Sequence, residues 1–157
     1  MSEIGHMKYY LFLTSLVFIF FSIPTGFYFI VVYAACSTMG AGMKSFYAIG
    51  RPFHEIEEID TMNYCGTSFG NPSSHAMNIA IWTTVSWLEL FWSRVGLSSW
   101  TSRLFPLPGI FLISSITISR MYLGAHSLNQ VLFGVFVGIF VACYLHFALR
   151  DHIRNHI

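Results

Sequence analysis

The sequence predicts an all-α integral membrane protein in which about four transmembrane helices form one helical bundle. Of its 157 residues, 55% are hydrophobic and only 10% are charged. The mean hydropathy of +0.61 is too high for a soluble domain of this length. Several apolar runs approach the ~20 residues that a helix needs to cross a bilayer. We therefore expect a single membrane domain over residues 1–157.

The first predicted span covers residues 9–36, which are almost wholly apolar. This run exceeds the ~20 residues of a spanning helix and contains Pro24 and Gly26 near its middle. We predict one tilted, kinked helix, because two half-length segments would each be too short to cross. The rival interpretations are a cleaved signal sequence and a lipid-modified Cys36 after Ala34-Ala35, but this run is far longer than the apolar core of a signal peptide.

Three further apolar runs follow a polar connection, residues 37–72, that is rich in glycine and is predicted to be a loop. Ser73 and Ser74 can cap the first turn of the second span. Prolines open the third span, and Gly124 separates the third from the fourth. The predicted spans are residues 73–93, 106–120 and 126–149.

The fourth span carries a stripe of small and polar residues. His126, Gln130, Gly134, Gly138 and Ala142 recur at four-residue spacing, which places them on one face of a helix. The glycines of such a stripe predict close packing against another helix. Packing does not explain why a histidine and a glutamine head the row, so we expect these two to belong to a polar site.

The four spans predict that three polar clusters meet on one side of the membrane. The end of the first span, the start of the second, the end of the third and the start of the fourth all fall on that side. Together the clusters supply three cations and two imidazoles around one helix start, a combination suited to an anion and to proton transfer. We interpret the anion as a phosphoryl group. The residues concerned are Lys44, Arg51, Ser73, Ser74, His75, Arg120, His126 and Gln130.

Basic residues predict the orientation of the bundle. The opposite side collects the larger number of cations, whereas the cluster side carries the acidic run 55–60. The positive-inside rule then places both termini in the cytosol and the cluster on the lumenal or external face. This pattern does not select between the membrane of the endoplasmic reticulum, that of another organelle and the plasma membrane. The cations on the opposite side are Lys8, Arg94, Arg103, Arg150 and Arg154.

Several classes of function are excluded by composition. The net charge is +1 and there is no basic tract, so no nucleic-acid partner is expected. Three cysteines are too few for a disulfide framework, and free thiols are preferred over a single Cys36–Cys65 bridge. A metal site is disfavoured, because His75 and His126 lack a third ligand at suitable spacing and nearby cations would repel a metal. No cofactor is expected.

The residue types fit phosphoryl transfer, in which the equatorial oxygens must be neutralised and the reacting atoms held in line. Arg51 and Arg120 offer planar forks for phosphate, and Lys44 a mobile point charge. The first N–H groups of a helix that starts near Ser73 add an anion-binding end. One histidine could then attack phosphorus while the other protonates the leaving oxygen and later activates water.

These motifs resemble the three-part signature of the type 2 phosphatidic acid phosphatase superfamily. Lys44 is followed by Arg51-Pro52, then by Pro72-Ser73-Ser74-His75, and then by Ser119-Arg120 with His126 after five residues. Within the superfamily, residues 70–77 and 119–131 look most like those of glucose-6-phosphatases. The resemblance implies a phosphatase-like helical bundle.

The resemblance also implies roles for individual residues. His126 would be the nucleophile that forms a phosphohistidine, and His75 the general acid and base. Gln130 would orient the His126 ring. Phosphate binding would fall to Lys44, Arg51, Ser73, Ser74 and Arg120.

The implied function is a membrane-embedded, metal-independent phosphohydrolase that cleaves a sugar or lipid phosphate monoester on the lumenal or external face. Its partners would be a phosphorylated small molecule or lipid and the membrane lipids. Ser74 stands where the family usually has glycine, Gln130 where it usually has aspartate, and family members commonly have at least six spans. The alternative is therefore a weak or inactive phosphatase-like subunit with a structural role in a larger complex, whose protein partners supply the missing helices.

Overall fold

A computed structural model describes residues 7–55, 68–92, 100, 104 and 106–156 of the chain. Within these ranges the regular structure is helical and there is no strand. The helices are α1 (Met7–Phe20), α2 (Ile23–Tyr47), α3 (Pro52–Glu55), α4 (Ser74–Ser86), which continues as a π-helix (Trp87–Trp92), α5 (Pro106–Tyr122) and α6 (Leu128–His156). α2 and the Leu128–Ile153 part of α6 are each long and apolar enough to cross a membrane. The predicted all-α membrane fold is confirmed.

The single kinked span predicted over residues 9–36 is wrong, because this run forms two helices. Ser22 caps α2: its hydroxyl accepts a hydrogen bond from the Thr25 N–H at 3.3 Å. Pro24 then lies in the first turn of α2, where its missing N–H leaves no helical bond unmade. The proline therefore follows a helix start and does not kink a continuous helix.

α1 runs antiparallel to α2. Tyr10 stacks on Tyr33 with 5.5 Å between ring centroids, and a Cβ on Gly26 would meet the Phe18 ring at 2.5 Å. Tyr33 lies near the middle of α2, so the start of α1 lies level with the middle of the bundle. It does not lie at the end of the bundle where α6 ends. The prediction that both termini lie on one side depended on a single first span; residues 1–6 lie outside the described residues, and it stays a prediction.

α2 also extends into the stretch predicted to be a loop. The helix continues to Tyr47, so Lys44 lies in its last turn and the predicted loop 37–72 begins too early. The rest of the acidic run after Glu55, and Arg94 and Arg103, lie outside the described residues.

α4 is the central helix and packs most extensively on α6. A Cβ on Gly134 would lie 2.7 Å from the Ser73 carbonyl oxygen, and one on Gly138 would lie 2.7 Å from the Met77 carbonyl oxygen. The close packing predicted for these glycines is therefore present. α6 begins only at Leu128, so His126, which the stripe placed on the helix, lies in the turn before it.

A second polar cluster ties the helices together at the other end of the bundle. Glu89, on the π-helix, is fully buried and accepts a charge-assisted hydrogen bond from Arg150 Nε of α6. The Tyr28 hydroxyl of α2 lies 2.9 Å from His146 Nδ1, also on α6. These polar contacts connect α2, α4 and α6 far from the predicted phosphoryl site.

Candidate functional site

Hydrogen bonds join three separated segments at one end of the bundle. The Gly70 N–H donates to the Ile49 carbonyl at 2.8 Å, and the Ser73 N–H donates to the Gln130 carbonyl at 3.1 Å. The Gln130 side chain connects the first and third of these segments, since its Nε2 donates to the Gly50 carbonyl at 2.8 Å. The end of α2, the start of α4 and the start of α6 therefore meet at one place.

Two left-handed residues direct the chain into this place. After α2, Ala48 has a φ of 47°, and its N–H donates to the Lys44 carbonyl at 3.0 Å. After α5, Gly124 has a φ of 63°, and the Ala125 N–H donates back to the Arg120 carbonyl at 3.2 Å. This second arrangement is a Schellman turn, in which glycine avoids the steric cost of positive φ. The turn places His126 within the electrostatic influence of Arg120.

The site is built from buried charged and titratable side chains. Arg51 is 4% exposed, and Arg120 and His126 are each 3% exposed. Arg51 Nε donates to the Ser68 carbonyl at 2.8 Å, and its Nη2 donates to Ser68 Oγ at 3.1 Å. Lys44 Nζ reaches the same hydroxyl at 3.4 Å. Guanidinium groups are costly to bury, so their collection beside a histidine indicates a functional site.

Gln130 determines which nitrogen of His126 carries the proton. Its Nε2 donates to the Gly50 carbonyl, and its Oε1 accepts from the Ser127 N–H at 3.2 Å, so the amide has one consistent orientation. The same Oε1 lies 3.3 Å from His126 Nδ1, which must therefore be the protonated nitrogen. Nε2 of the ring is left with its lone pair, as a nucleophile requires.

The surroundings keep the His126 ring neutral. Burial lowers the pKa of His126 most, and the positive charges of Arg51, Arg120 and Lys44 lower it further. The hydrogen bond that His126 donates to Gln130 acts in the opposite direction, and the net pKa is about 3, against an ordinary value of 6.5. A neutral imidazole is the form that can attack an electrophile, so the cations that would hold a phosphate also keep its attacker deprotonated.

This low pKa can be measured directly. In histidine-labelled protein, the ¹⁵N shifts of His126 are expected not to change between about pH 7 and about pH 5, where an ordinary histidine titrates. Replacing Arg120 by methionine removes a positive charge and is expected to raise the pKa of His126. A His126 ring that titrates near 6.5 in the wild type would contradict the described electrostatics.

The same group makes the protein less stable in acid. An unfolded chain binds a proton on His126 near pH 6.5, whereas the folded protein binds it only near a pKa of about 3. The folded state is therefore disfavoured progressively as the pH falls through that interval.

The start of α4 differs in detail from the sequence prediction. Ser73 is the N-cap residue, but its hydroxyl makes no capping bond, and this buried oxygen has no hydrogen-bond partner among the described residues. Its N–H, expected to be free for an anion, donates to Gln130 instead. Ser74 begins the helix with negative φ, so serine is compatible with the position where the family usually has glycine. His75 lies in the first turn and is partly buried.

Two residues of the site were not recognised as such from sequence. Ser68 carries no motif, and its role depends on contacts with Lys44 and Arg51 that only the fold creates. Gly70 opens the motif around His75, which was a usable signal. A Cβ there would lie 2.7 Å from Gln130 Nε2 and 2.8 Å from the Gly50 carbonyl oxygen.

Gly70→Ala is expected to displace the Gln130 amide and to lower any activity that depends on the His126 ring by roughly 10²-fold, because misplacement by about an ångström costs this much. Because Gly70 is buried and the Gly50 carbonyl must also shift, circular dichroism of the purified variant checks that the helices persist. Gly42→Ala is the matched control, because nothing lies within 4 Å of the added Cβ. Equal activity in the two variants would show that Gln130 does not position the ring.

An apolar cavity of about 430 Å³ lies deeper in the bundle, between α1, α4 and α5. Its lining begins at Ile79, one helical turn along α4 from His75, and continues past Trp82 to Trp87. On α5 it includes Gly109 and Ile113. None of the charged residues of the polar site lines this cavity.

Comparisons with known proteins agree with this fold. The family model described as the PAP2 superfamily matches residues 25–154. The comparison with curated proteins found no match. The chain is similar to the crystal structure of a transmembrane PAP2-type phosphatidylglycerolphosphate phosphatase from Bacillus subtilis, with a TM-score of 0.77 and 21% identity. That alignment covers 99% of this chain and 74% of the other.

Proposed function

The chain belongs to the PAP2 superfamily, and on that basis we propose that it is a membrane-embedded, metal-independent phosphohydrolase that cleaves a lipid phosphate monoester. The observation that carries the proposal is a buried, neutral His126 whose Nδ1 is held by Gln130 while Lys44, Arg51 and Arg120 lower its pKa. Such an arrangement provides a nucleophile and a phosphate site in the same place.

The cations bind the phosphoryl group and stabilise the transition state. Arg51 and Arg120 contact its equatorial oxygens, and Lys44 adds a third positive charge. Ser73 contributes its buried hydroxyl, and Ser74 contributes the N–H of a helix start. These groups are already in place before substrate arrives, so little reorganisation opposes the reaction.

The two histidines divide the chemistry. The Nε2 lone pair of His126 attacks phosphorus, and the bond from phosphorus to the leaving oxygen breaks as His75 donates a proton to that oxygen. In the second step His75 takes a proton from water, the water oxygen attacks phosphorus, and the P–N bond breaks. The products are an alcohol and inorganic phosphate, and both histidines return to their starting forms.

Two observations favour a lipid over a sugar phosphate. The apolar cavity begins one helical turn below His75, where the chain of a lipid held by its phosphate would run. The similar Bacillus subtilis protein is described as a phosphatidylglycerolphosphate phosphatase. The finer resemblance to glucose-6-phosphatases, with a sugar phosphate as substrate, stays a prediction, as do the organelle and the membrane face of the site.

Phosphate release tests the proposal. Purified protein in detergent micelles, with a metal chelator present, is expected to release phosphate from phosphatidic acid or phosphatidylglycerolphosphate, and His126→Ala to release it at least about 10⁴-fold more slowly. Release from glucose 6-phosphate alone would support phosphatase activity and contradict the proposal of a lipid substrate. Absence of release from all three substrates would favour the structural subunit in a larger complex.

A further inference from the structure

Ser68 contacts two of the phosphate-binding cations at once. Its hydroxyl oxygen accepts hydrogen bonds from Arg51 Nη2 at 3.1 Å and from Lys44 Nζ at 3.4 Å. Its carbonyl oxygen accepts a third bond, from Arg51 Nε, at 2.8 Å. The two cations come from different elements, since Lys44 lies in the last turn of α2 and Arg51 follows the left-handed residue Ala48.

The geometry of these bonds fixes the guanidinium group. Nε and Nη2 are the two donors on one edge of the planar fork, and Ser68 engages both with its carbonyl and hydroxyl oxygens. Two bonds on one edge set both the position and the rotation of the plane. The Lys44 ammonium, which could otherwise swing on its flexible stem, is drawn to the same hydroxyl.

Ser68 is itself held by the network of the site. Two residues on, the Gly70 N–H donates to the Ile49 carbonyl at 2.8 Å, and Ile49 lies next to the Gly50 carbonyl that accepts from Gln130. The backbone before α4 is therefore fixed against the backbone after α2. Through its hydrogen bonds with Lys44 and Arg51, Ser68 holds these cations against this fixed backbone.

We propose that Ser68 is a positioning residue that holds Lys44 and Arg51 in register for the phosphate before substrate binds. The inference rests on the proposed function, because it assumes that these two cations bind a phosphoryl group. Ser68 acts through the cations and does not itself react. Its contribution is made equally to the bound substrate and to the transition state, so it affects binding more than turnover.

Ser68→Ala is expected to raise KM for phosphatidic acid, and Kd for inorganic phosphate measured by calorimetry, about fivefold, with kcat changed less than about twofold. The effect is modest because Ser68 is exposed and its hydroxyl bonds are partly screened. Ser68→Thr keeps the hydroxyl and is expected to restore both constants. Ser45→Ala is the matched control: this exposed serine adjoins Lys44 in sequence, but its hydroxyl bonds its own helix at Ala41.

A double-mutant cycle separates positioning from a general structural effect. In an Arg51→Lys background the Ser68→Ala change should add little, because the fork that Ser68 holds is already lost. Additive effects would overturn the inference, as would Ser68→Ala binding phosphate as well as the wild type or more tightly. If the wild-type protein binds inorganic phosphate but releases none from lipids, the proposed function alone is refuted. The role of Ser68 is then decided by the Kd values for inorganic phosphate. A wild type that does neither would refute both.

Discussion

His126→Ala is expected to lower kcat for phosphate release by about 10⁴-fold or more, because removing the proposed nucleophile eliminates the proposed covalent route and leaves only binding and electrostatic stabilisation. KM should change much less, since the cations that we propose to bind phosphate remain. Steady-state phosphate release on purified protein measures both constants. His152→Ala is the control, because this exposed histidine near the end of α6 lies outside the site.

The intermediate offers an independent check on the same residue. Replacing His75 by asparagine should slow the second step, since no base then activates water. With ³²P-labelled substrate bearing a good leaving group, this variant is expected to accumulate labelled protein whose label is stable to alkali and lost in acid, as for a phosphoramidate. The label should be absent when His126 is also replaced. Label retained in that double variant would assign the nucleophile to another residue.

Arg150→Met is expected to lower the free energy of unfolding by about 3 kcal/mol. The substitution removes the buried ion pair between Arg150 and Glu89, and the Glu89 carboxylate would remain fully buried. Unfolding in mixed detergent and sodium dodecyl sulfate micelles, followed by circular dichroism, measures the change. Phosphate release should be unaffected in the folded fraction, because this cluster lies at the other end of the bundle.

Two further variants distinguish the charge from the packing of that pair. Adding Glu89→Gln to Arg150→Met removes the remaining charge and is expected to recover part of the lost stability. Asp151 is the exposed partner of Arg150, and the Asp151 side chain is 83% accessible. Asp151→Asn should therefore change the free energy of unfolding by less than about 0.5 kcal/mol. Equal losses in the Arg150 and Asp151 variants would argue against a stabilising buried pair.

The convergence of the site could be predicted because it depends on where apolar runs begin and end. Arg120 and His126 flank a glycine between two such runs, and His75 follows a proline at the start of another. The structure agrees with these local signals, since α4, α5 and α6 begin within two residues of the predicted starts of the second, third and fourth spans. Spacing within the motifs then placed the charged groups at the same ends of the helices.

The remaining features depend on competition between local signals or on tertiary contacts. At residues 9–36, length favoured one long helix, but Ser22 caps a new helix before Pro24 and divides the run. The Ser73 N–H is used by Gln130 because two helices approach closely at glycine positions. Glu89 and Ser68 have partners from distant segments, which no local pattern specifies.

The choice of an amide at position 130 has a consequence for the second half of the proposed cycle. An amide oxygen accepts the Nδ1 hydrogen bond but cannot take the proton, so the ring would become fully cationic once Nε2 is bonded to phosphorus. A carboxylate would offset that charge and lengthen the life of the phosphorylated ring. With glutamine, the cationic imidazole is a better leaving group, and water should release the phosphate quickly.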